Sequence, residues 1–354
     1  MAISVGIVGL PNVGKSTLFQ AITKKKVDIA NYPFCTVDPN VGIVKVPDER
    51  LQKLADFFQS QKTIPTIIEF VDIAGLVKGS NKGEGLGNQF LATIREVDAI
   101  VQVVRCFENT NISHVDETID PVRDMETIQT ELILKDLETL GKRISSLEKD
   151  VRSRNKEAVK RQEILWDLQK EMNQEVPAFR YLKKHPEAKE AIGEIFLLSA
   201  KPVIYLLNAD SEKEAVKAVA KAKELEAPYV IMNIKEEEDK IGLTDEELKE
   251  FGLSQPNLPE LIKKAYQALG IITFITTGPD ETRAWTIEKG ATTPEAGGVI
   301  HSDFKEKFIR AAVIQWDKLL EAGGITEAMT QGQLRMEGKD YVVKDGDVIE
   351  IKHS

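Results

Sequence analysis

Eight consecutive residues constrain this chain more than any others. Gly9-Leu10-Pro11-Asn12-Val13-Gly14-Lys15-Ser16 fits the pattern G-x-x-x-x-G-K-S. The apolar run Ile3–Val8 before it reads as a buried strand, and Thr17 to Ile22 after it as a helix. Strand, glycine loop and helix in that order predict a phosphate cradle. The backbone N–H groups of Asn12, Val13, Gly14, Lys15, Ser16 and Thr17 close around a triphosphate, and the helix dipole adds positive potential. Lys15 is placed to reach the β- and γ-phosphates, and the Ser16 hydroxyl to bind Mg²⁺. A chance match in a Gly-rich turn would lack that context.

A second motif fits the same chemistry. Asp72-Ile73-Ala74-Gly75 closes another apolar strand, Ile67–Asp72. Asp72 is expected to hold Mg²⁺ through water, and the Gly75 N–H to sense the γ-phosphate. Thr36, between the first helix and the next strand, is a candidate to complete the Mg²⁺ shell. Glycines 75, 79, 83, 85 and 87 follow, with Lys78 and Lys82 among them, and this loop is expected to move. Related enzymes place a water-orienting Gln where this chain has Leu76, which cannot do that work. His114 lies in a polar loop beyond the strand Ala99–Val104, on the sheet edge where ligands bind, and is a candidate for the missing polar group.

The base is read next. GTPases of this type carry Asn-Lys-x-Asp after a later strand, and the Asp accepts from guanine N1 and N2. Here the four residues are Asn208-Ala209-Asp210-Ser211. An unpaired buried donor costs about 1–3 kcal/mol, so losing the acceptor removes most guanine discrimination. Asn208 can still pair with adenine N6 and N7, so ATP is expected over GTP, with Asp210 one residue early. Met232-Asn233-Ile234 is expected to flank the base.

Composition bounds the rest. The chain has 354 residues and a formal charge of −10, which argues against unspecific DNA coating. Hydrophobic residues make up 42%, enough for sizeable cores. Two Cys exclude a disulfide framework and a Cys-based zinc site. No run is long and apolar enough to span a membrane, and no basic-then-apolar leader precedes Ile3, so a cytoplasmic protein is expected.

Strands and helices alternate over residues 1–120, which predicts a parallel sheet covered on both faces. Residues 121–196 turn helical. Ile133, Leu137, Leu140, Ile144, Leu147 and Val151 make one seam, and Leu165, Leu168 and Met172 a second. An antiparallel hairpin with its tip near 153–157 is the simplest solution. The α/β pattern resumes with strands at Val203–Asn208 and Tyr229–Ile234 and a helix at Ala215–Leu225. From about Ile271 the chain is β-rich and reads as a separate small domain, with Asp345-Gly346 between alternating apolar residues predicting a hairpin.

The stretches Gly9 to Thr17, Asn31-Tyr32-Pro33-Phe34-Cys35-Thr36, Asp72 to Gly79, Arg283-Ala284-Trp285-Thr286-Ile287 and Gly338-Lys339-Asp340-Tyr341 together resemble the YchF / Obg-like ATPase family from residue 1 to 354. The resemblance implies a Ras-like P-loop domain over 1–270, interrupted by a helical coiled-coil insertion at 121–196. It also implies a C-terminal TGS domain of β-grasp type over 271–354. It implies an ATPase that prefers ATP and associates with ribosomes, the 70S particle and the large subunit. It makes His114 the catalytic residue beside Lys15 and Gly75, Asn12 a K⁺ ligand, and Cys35 a redox-sensitive neighbour of Thr36. The family reads Asn-x-x-Glu at the base site, whereas here Ser211 takes the Glu position and Glu212 follows.

The hairpin stretch 142–161 carries eight Lys or Arg against three Asp or Glu, a net +5 on an acidic protein. That patch is a candidate contact for rRNA phosphates, although a solvated helix face has the same look. Residues 271–354 carry 10 Lys or Arg against 14 Asp or Glu, so any ribosomal contact of the TGS domain rests on shape. Two other readings stand beside the ATPase: a GTP-preferring enzyme, and a switch without useful turnover read by a protein partner.

Overall fold

The computed structural model describes residues 3–24, 40–73, 86–108 and 118–354. In chain order, β1 (Ile3–Val8) leads through the glycine loop into α1 (Lys15–Thr23), and β2 (Val41–Lys45) precedes α2 (Glu49–Phe58). Next come β3 (Lys62–Ile64), β4 (Ile67–Asp72), α3 (Leu86–Glu96) and β5 (Ala99–Arg105). These strands and two later ones build a six-stranded sheet, β2-β4-β1-β5-β6-β7. All its neighbours are parallel except the β2–β4 edge pair. Parallel strands covered on both faces must be apolar throughout, and every residue of β5 is buried.

The helical insertion begins where Asp120 accepts from the N–H groups of Val122 and Arg123 and Pro121 sets the first turn of α4 (Pro121–Arg152). The chain turns at 153–155, and Asn155 caps α5 (Lys156–Met172) through the N–H groups of Glu157 and Ala158. The expected hairpin and its tip are therefore present. Leu140, Ile144, Leu147, Leu165, Leu168 and Met172 share one core. Leu137 packs against it half-buried, and Val151 at the end of the seam is half-buried. The short helices α6 (Ala178–Lys184) and α7 (Lys189–Ile192) close the insertion. Asp136, on α4 and 1% exposed, accepts from the Leu198 N–H, the Ser199 N–H and the Ser199 hydroxyl, each at 2.7 Å. That carboxylate fastens the insertion to the segment that re-enters the sheet.

The sheet is completed by β6 (Val203–Asn208), α8 (Glu212–Glu224) and β7 (Tyr229–Met232), followed by α9 (Ile234–Asp239), α10 (Asp245–Glu250) and α11 (Leu258–Ala268). The C-terminal region then runs β8 (Ile271–Thr276), β9 (Glu281–Glu288), α12 (Thr293–Ile300), α13 (Ser302–Glu306), β10 (Phe308–Gln315), α14 (Trp316–Ala322), α15 (Ile325–Thr330), β11 (Arg335–Glu337) and β12 (Asp347–His353). Its sheet has the order β11-β10-β12-β8-β9-β3. The antiparallel β8–β9 pair and the central β12, parallel to β8, give the β-grasp arrangement.

Two features depart from the sequence-based reading. Residues 62–64 belong to the second sheet, where β3 pairs with β9 in parallel, and Leu51 and Leu54 of α2 pack in the core beneath it. The expected hairpin at 344–347 does not form. Asp345-Gly346 does make a turn, with Gly346 at φ 82, but β12 already has β10 on one side and β8 on the other. No edge remains for residues 341–344. They cross instead to the start of α12, where Val342 bridges Thr292 and the Val343 N–H donates to the Ala291 carbonyl.

Candidate nucleotide-binding site

The site lies at the C-terminal ends of β1, β4, β5, β6 and β7. The loop after β1 carries two left-handed residues, Asn12 at φ 60 and Gly14 at φ 107. Gly14 is demanded twice, by that φ and by close approach, since a Cβ there would stand 2.8 Å from the Asn208 amide nitrogen. The first turn of α1 has no acidic side chain, and Gly14 makes no side-chain cap. The N–H groups opening α1 are thus left for an anion.

Lys15 folds over the loop. Its ammonium donates to the Gly9 carbonyl at 3.0 Å and the Leu10 carbonyl at 2.8 Å. Burial lowers its pKa, and the nearby Asp72 carboxylate only partly offsets this. Burial likewise raises the pKa of Asp72, with Lys15 opposing. For both groups loss of water outweighs their mutual attraction. The site is short of compensating charge for each, as a polyanion beside Lys15 and a cation beside Asp72 would supply. Asp72 ends β4 in register with Ile7, and its N–H donates to the Asn40 carbonyl. Ser16 and Asn12 are exposed, Thr17 is half-buried, and Val13 is buried.

Asn208 ends β6 in register with Arg105 on one side and Met232 on the other. Its amide nitrogen donates to the Val13 carbonyl at 2.9 Å, and its carbonyl accepts from the Ile234 N–H at 3.2 Å. The residue expected to read adenine therefore braces the phosphate loop against α9, which leaves the buried amide one N–H for other work. Met232 is 1% exposed and packs in the core. Only its backbone borders the base edge, where its carbonyl accepts from the Ala209 N–H. Asn233 caps α9 through the Glu236 N–H and donates at 2.8 Å to Asp210, whose N–H in turn donates to Glu214. Asp210, Ser211, Glu212 and Asn233 line a cavity of about 590 Å³ beside these strand ends.

Two residues at this edge carried little sequence signal. Arg105, 1% exposed, places its guanidinium over the Phe107 ring at 4.7 Å. Burial pulls its pKa down, with Asp124 opposing. A charged residue ending the apolar run Ala99–Val104 was the available clue. Cys106 is buried, and burial foremost, aided by Glu214 and Asp124, pushes its thiol up to about 12. Thr36, Cys35, Gly75, Leu76 and His114 lie outside the described residues.

A largely parallel sheet that presents a G-x-x-x-x-G-K-S loop, a carboxylate at the neighbouring strand end and an Asn-headed base loop defines a P-loop nucleoside-triphosphate-binding protein. The comparisons agree. The family model described as 50S ribosome-binding GTPase matches residues 4–136, and the YchF-GTPase_C model, described as a protein of unknown function (DUF933), matches residues 271–354. The chain is 48% identical to the Ribosome-binding ATPase YchF of Bacillus subtilis (strain 168), over 99% of both chains. It is 45% identical to the Escherichia coli O157:H7 protein of the same name, over 99% of this chain and 98% of that one. The solved Schizosaccharomyces pombe YchF GTPase superposes with a TM-score of 0.86 at 35% identity, covering 99% of this chain and 97% of that one. The chain belongs to the YchF family.

Proposed function

We propose that this chain is a Mg²⁺-dependent ATPase that works as a nucleotide switch on the ribosome. The observation that carries the reading is the Lys15 ammonium, held across the phosphate loop by two backbone carbonyls at the acid-free start of α1. A triphosphate replaces those carbonyls with phosphate oxygens and compensates a buried cation. Asn12, Val13, Gly14, Ser16 and Thr17 supply backbone donors. Ser16, Thr36 and, through water, Asp72 hold the metal. No cluster of three or more His, Cys, Asp or Glu occurs among the described residues, which suits an ion that takes most of its ligands from phosphate and water. Bound there, Mg²⁺ neutralises charge developing between the β- and γ-phosphates.

Asn208 keeps the base loop in register with the phosphate loop, and Asn233 and Met232 border the base. Ser211 offers no carboxylate for guanine, and relatives are named ATPases. Leu76 cannot orient water, so His114 takes that part, with the Gly75 N–H on the γ-phosphate and a K⁺ ion at Asn12. Cys35, next to Thr36, makes metal closure sensitive to oxidation. The division into 1–270, the insertion 121–196 and 271–354 assigns switching to the first unit and contact with the ribosome to the other two. Within 142–161, Arg143 and Arg161 both pair with Glu194 and Arg152 pairs with Glu148. Lys142, Lys149, Arg154, Lys156 and Lys160 remain exposed and suit rRNA phosphates.

One observation favours the GTP-preferring alternative: Asn233 holds the Asp210 carboxylate at the base edge. Binding of ATP and GTP analogues side by side decides between them, followed by single-turnover hydrolysis with and without ribosomes. The ATPase reading expects tighter ATP binding and ribosome-accelerated cleavage. It expects His114→Ala to keep ATP affinity while slowing cleavage by about tenfold or more. Tighter GTP binding sinks it, and so does cleavage unaffected by the loss of His114 for the assigned mechanism.

A further inference from the structure

At the opposite end of the sheet from the phosphate loop lies a cavity of about 240 Å³. Its walls come from the N-terminal halves of β5 and β6, from α4 and α6 of the insertion, and from the loop between α8 and β7. Most of the wall is apolar: Ile100, Ile128, Leu132, Val203 and Leu225. Four uncharged polar side chains also line it: Gln129, which donates to the Glu175 carbonyl, Ser199, which donates to Asp136, and Gln102 and Tyr205, each only 3% exposed. The Gln102 amide nitrogen donates to the Asp124 carbonyl at 3.2 Å, but its own carbonyl oxygen has no partner among the described residues. The Tyr205 hydroxyl has none either, and burial alone raises its pKa. Neither atom is among the fully buried unpartnered ones, so both keep some access to the cavity, and one acceptor and one donor on an apolar wall offer a ligand polar contacts.

The charges lining the cavity set its sign. They are Arg180, Lys183, Lys201 and Glu226, three cations against one anion. Lys183 is taken by Glu226. Lys201 donates to the Val97 and Arg95 carbonyls. Arg180 is half-buried and makes no contact ion pair among the described residues, though it lies near enough to Glu226 to help lower that carboxyl's pKa behind Lys183. A guanidinium so placed matches a carboxylate.

We propose that this cavity binds a small amphiphilic carboxylate. Its apolar body packs on Ile128, Leu132 and Val203, its carboxylate meets Arg180, and a hydroxyl at its far end meets Gln102 and Tyr205. The ligand bridges the nucleotide-binding sheet and the helical insertion, since both supply the walls.

The test uses the full-length chain and three probes followed by calorimetry and ligand-observed NMR. They are para-hydroxybenzoate, its neutral amide, and benzoate, which lacks the hydroxyl. The carboxylate is expected to bind one per chain, and the amide about tenfold or more weakly, since one charge-assisted contact is lost. Arg180→Gln removes that difference. Tyr205→Phe removes the preference of the site for para-hydroxybenzoate over benzoate. Ala227→Trp fills the cavity and abolishes binding of all three, with ATP binding retained as the check on folding. The proposal is overturned if none of the probes binds at millimolar concentration. It is equally overturned if Ala227→Trp leaves binding intact or Arg180→Gln leaves the amide as disfavoured as before. If Ala227→Trp loses ATP binding through misfolding, the Arg180 and Tyr205 variants decide on their own.

Discussion

Asn208 is where two roles make opposite predictions. As a base reader it would discriminate between nucleotides. As the brace the structure shows, it acts on the phosphate loop and so on every nucleotide alike. Asn208→Ala removes the donor to the Val13 carbonyl and the acceptor for the Ile234 N–H, at 2.9 and 3.2 Å. The amide is 7% exposed, so water reaches the stranded groups poorly. Each stranded buried group costs about 1–3 kcal/mol, and water entering the vacated space recovers part of the sum, leaving about 2–3 kcal/mol. The melting temperature should fall by several degrees, given about 2–4 °C per kcal/mol for large domains. Affinities for ATP and GTP analogues should fall by the same factor, because the loop that binds phosphate has lost its support. Asn208→Asp keeps the acceptor for Ile234 but sets a carboxylate oxygen against the Val13 carbonyl, and should weaken both nucleotides as well. Calorimetric titration of both analogues, with thermal melting of each variant, gives the answer. The reasoning is refuted if stability holds and only ATP affinity collapses, because Asn208 would then be spending its amide on the base.

Other expectations rest on separate contacts. Asp136→Asn puts amide hydrogens against the donors at Leu198 and Ser199, so it should cost about 2–4 kcal/mol by denaturant titration and loosen the insertion first in hydrogen exchange. Lys15→Ala should abolish tight nucleotide binding and hydrolysis together, and because burial disfavours the charged lysine before ligand arrives, melting without nucleotide should hold or rise slightly. Thiol titration of the native chain should find one fast group of the two Cys, since a Cys106 thiol near 12 is ionised to only about one part in 10⁴ at pH 8. Cys35→Ser should then remove that fast reaction, and a persisting fast thiol would contradict the burial argument. Raising the pH toward 12 should expose Cys106 to reagent, because its thiolate appears only as the pH approaches its raised pKa.

Much of this protein was written locally. The phosphate loop needs glycines, a lysine and a hydroxyl at set spacings between a strand and a helix, and those needs are met within eight residues. The helical hairpin was equally legible, because a seam of steps of three and four admits one periodicity and Asn155 marks its turn. What failed were inferences about which strand lies beside which. Asp345-Gly346 carries a hairpin's turn chemistry, yet β12 is flanked on both sides by strands from distant sequence, so the preceding arm is expelled. Residues 62–64 fall inside the stretch read as the nucleotide-binding domain, and only the edge of β9 recruits them into the second sheet.

The candidate site divides the same way. Local chemistry named Lys15, Ser16, Asp72 and Asn208 as members of one edge, since each ends a strand or opens a helix. It could not say how Asn208 spends its amide, because Val13 is 195 positions away and meets it only when β1 and β6 flank β5 in the sheet. Nor could it find Arg105 or the cavity around Gln102 and Tyr205. In a strand such residues read as exceptions to an apolar run, and their meaning depends on what packs across them. Backbone geometry and side-chain type are properties of a few neighbouring residues and can be read along the chain. Burial, register and the partners of a polar atom are set by elements brought together from afar, and the tertiary structure alone decides them.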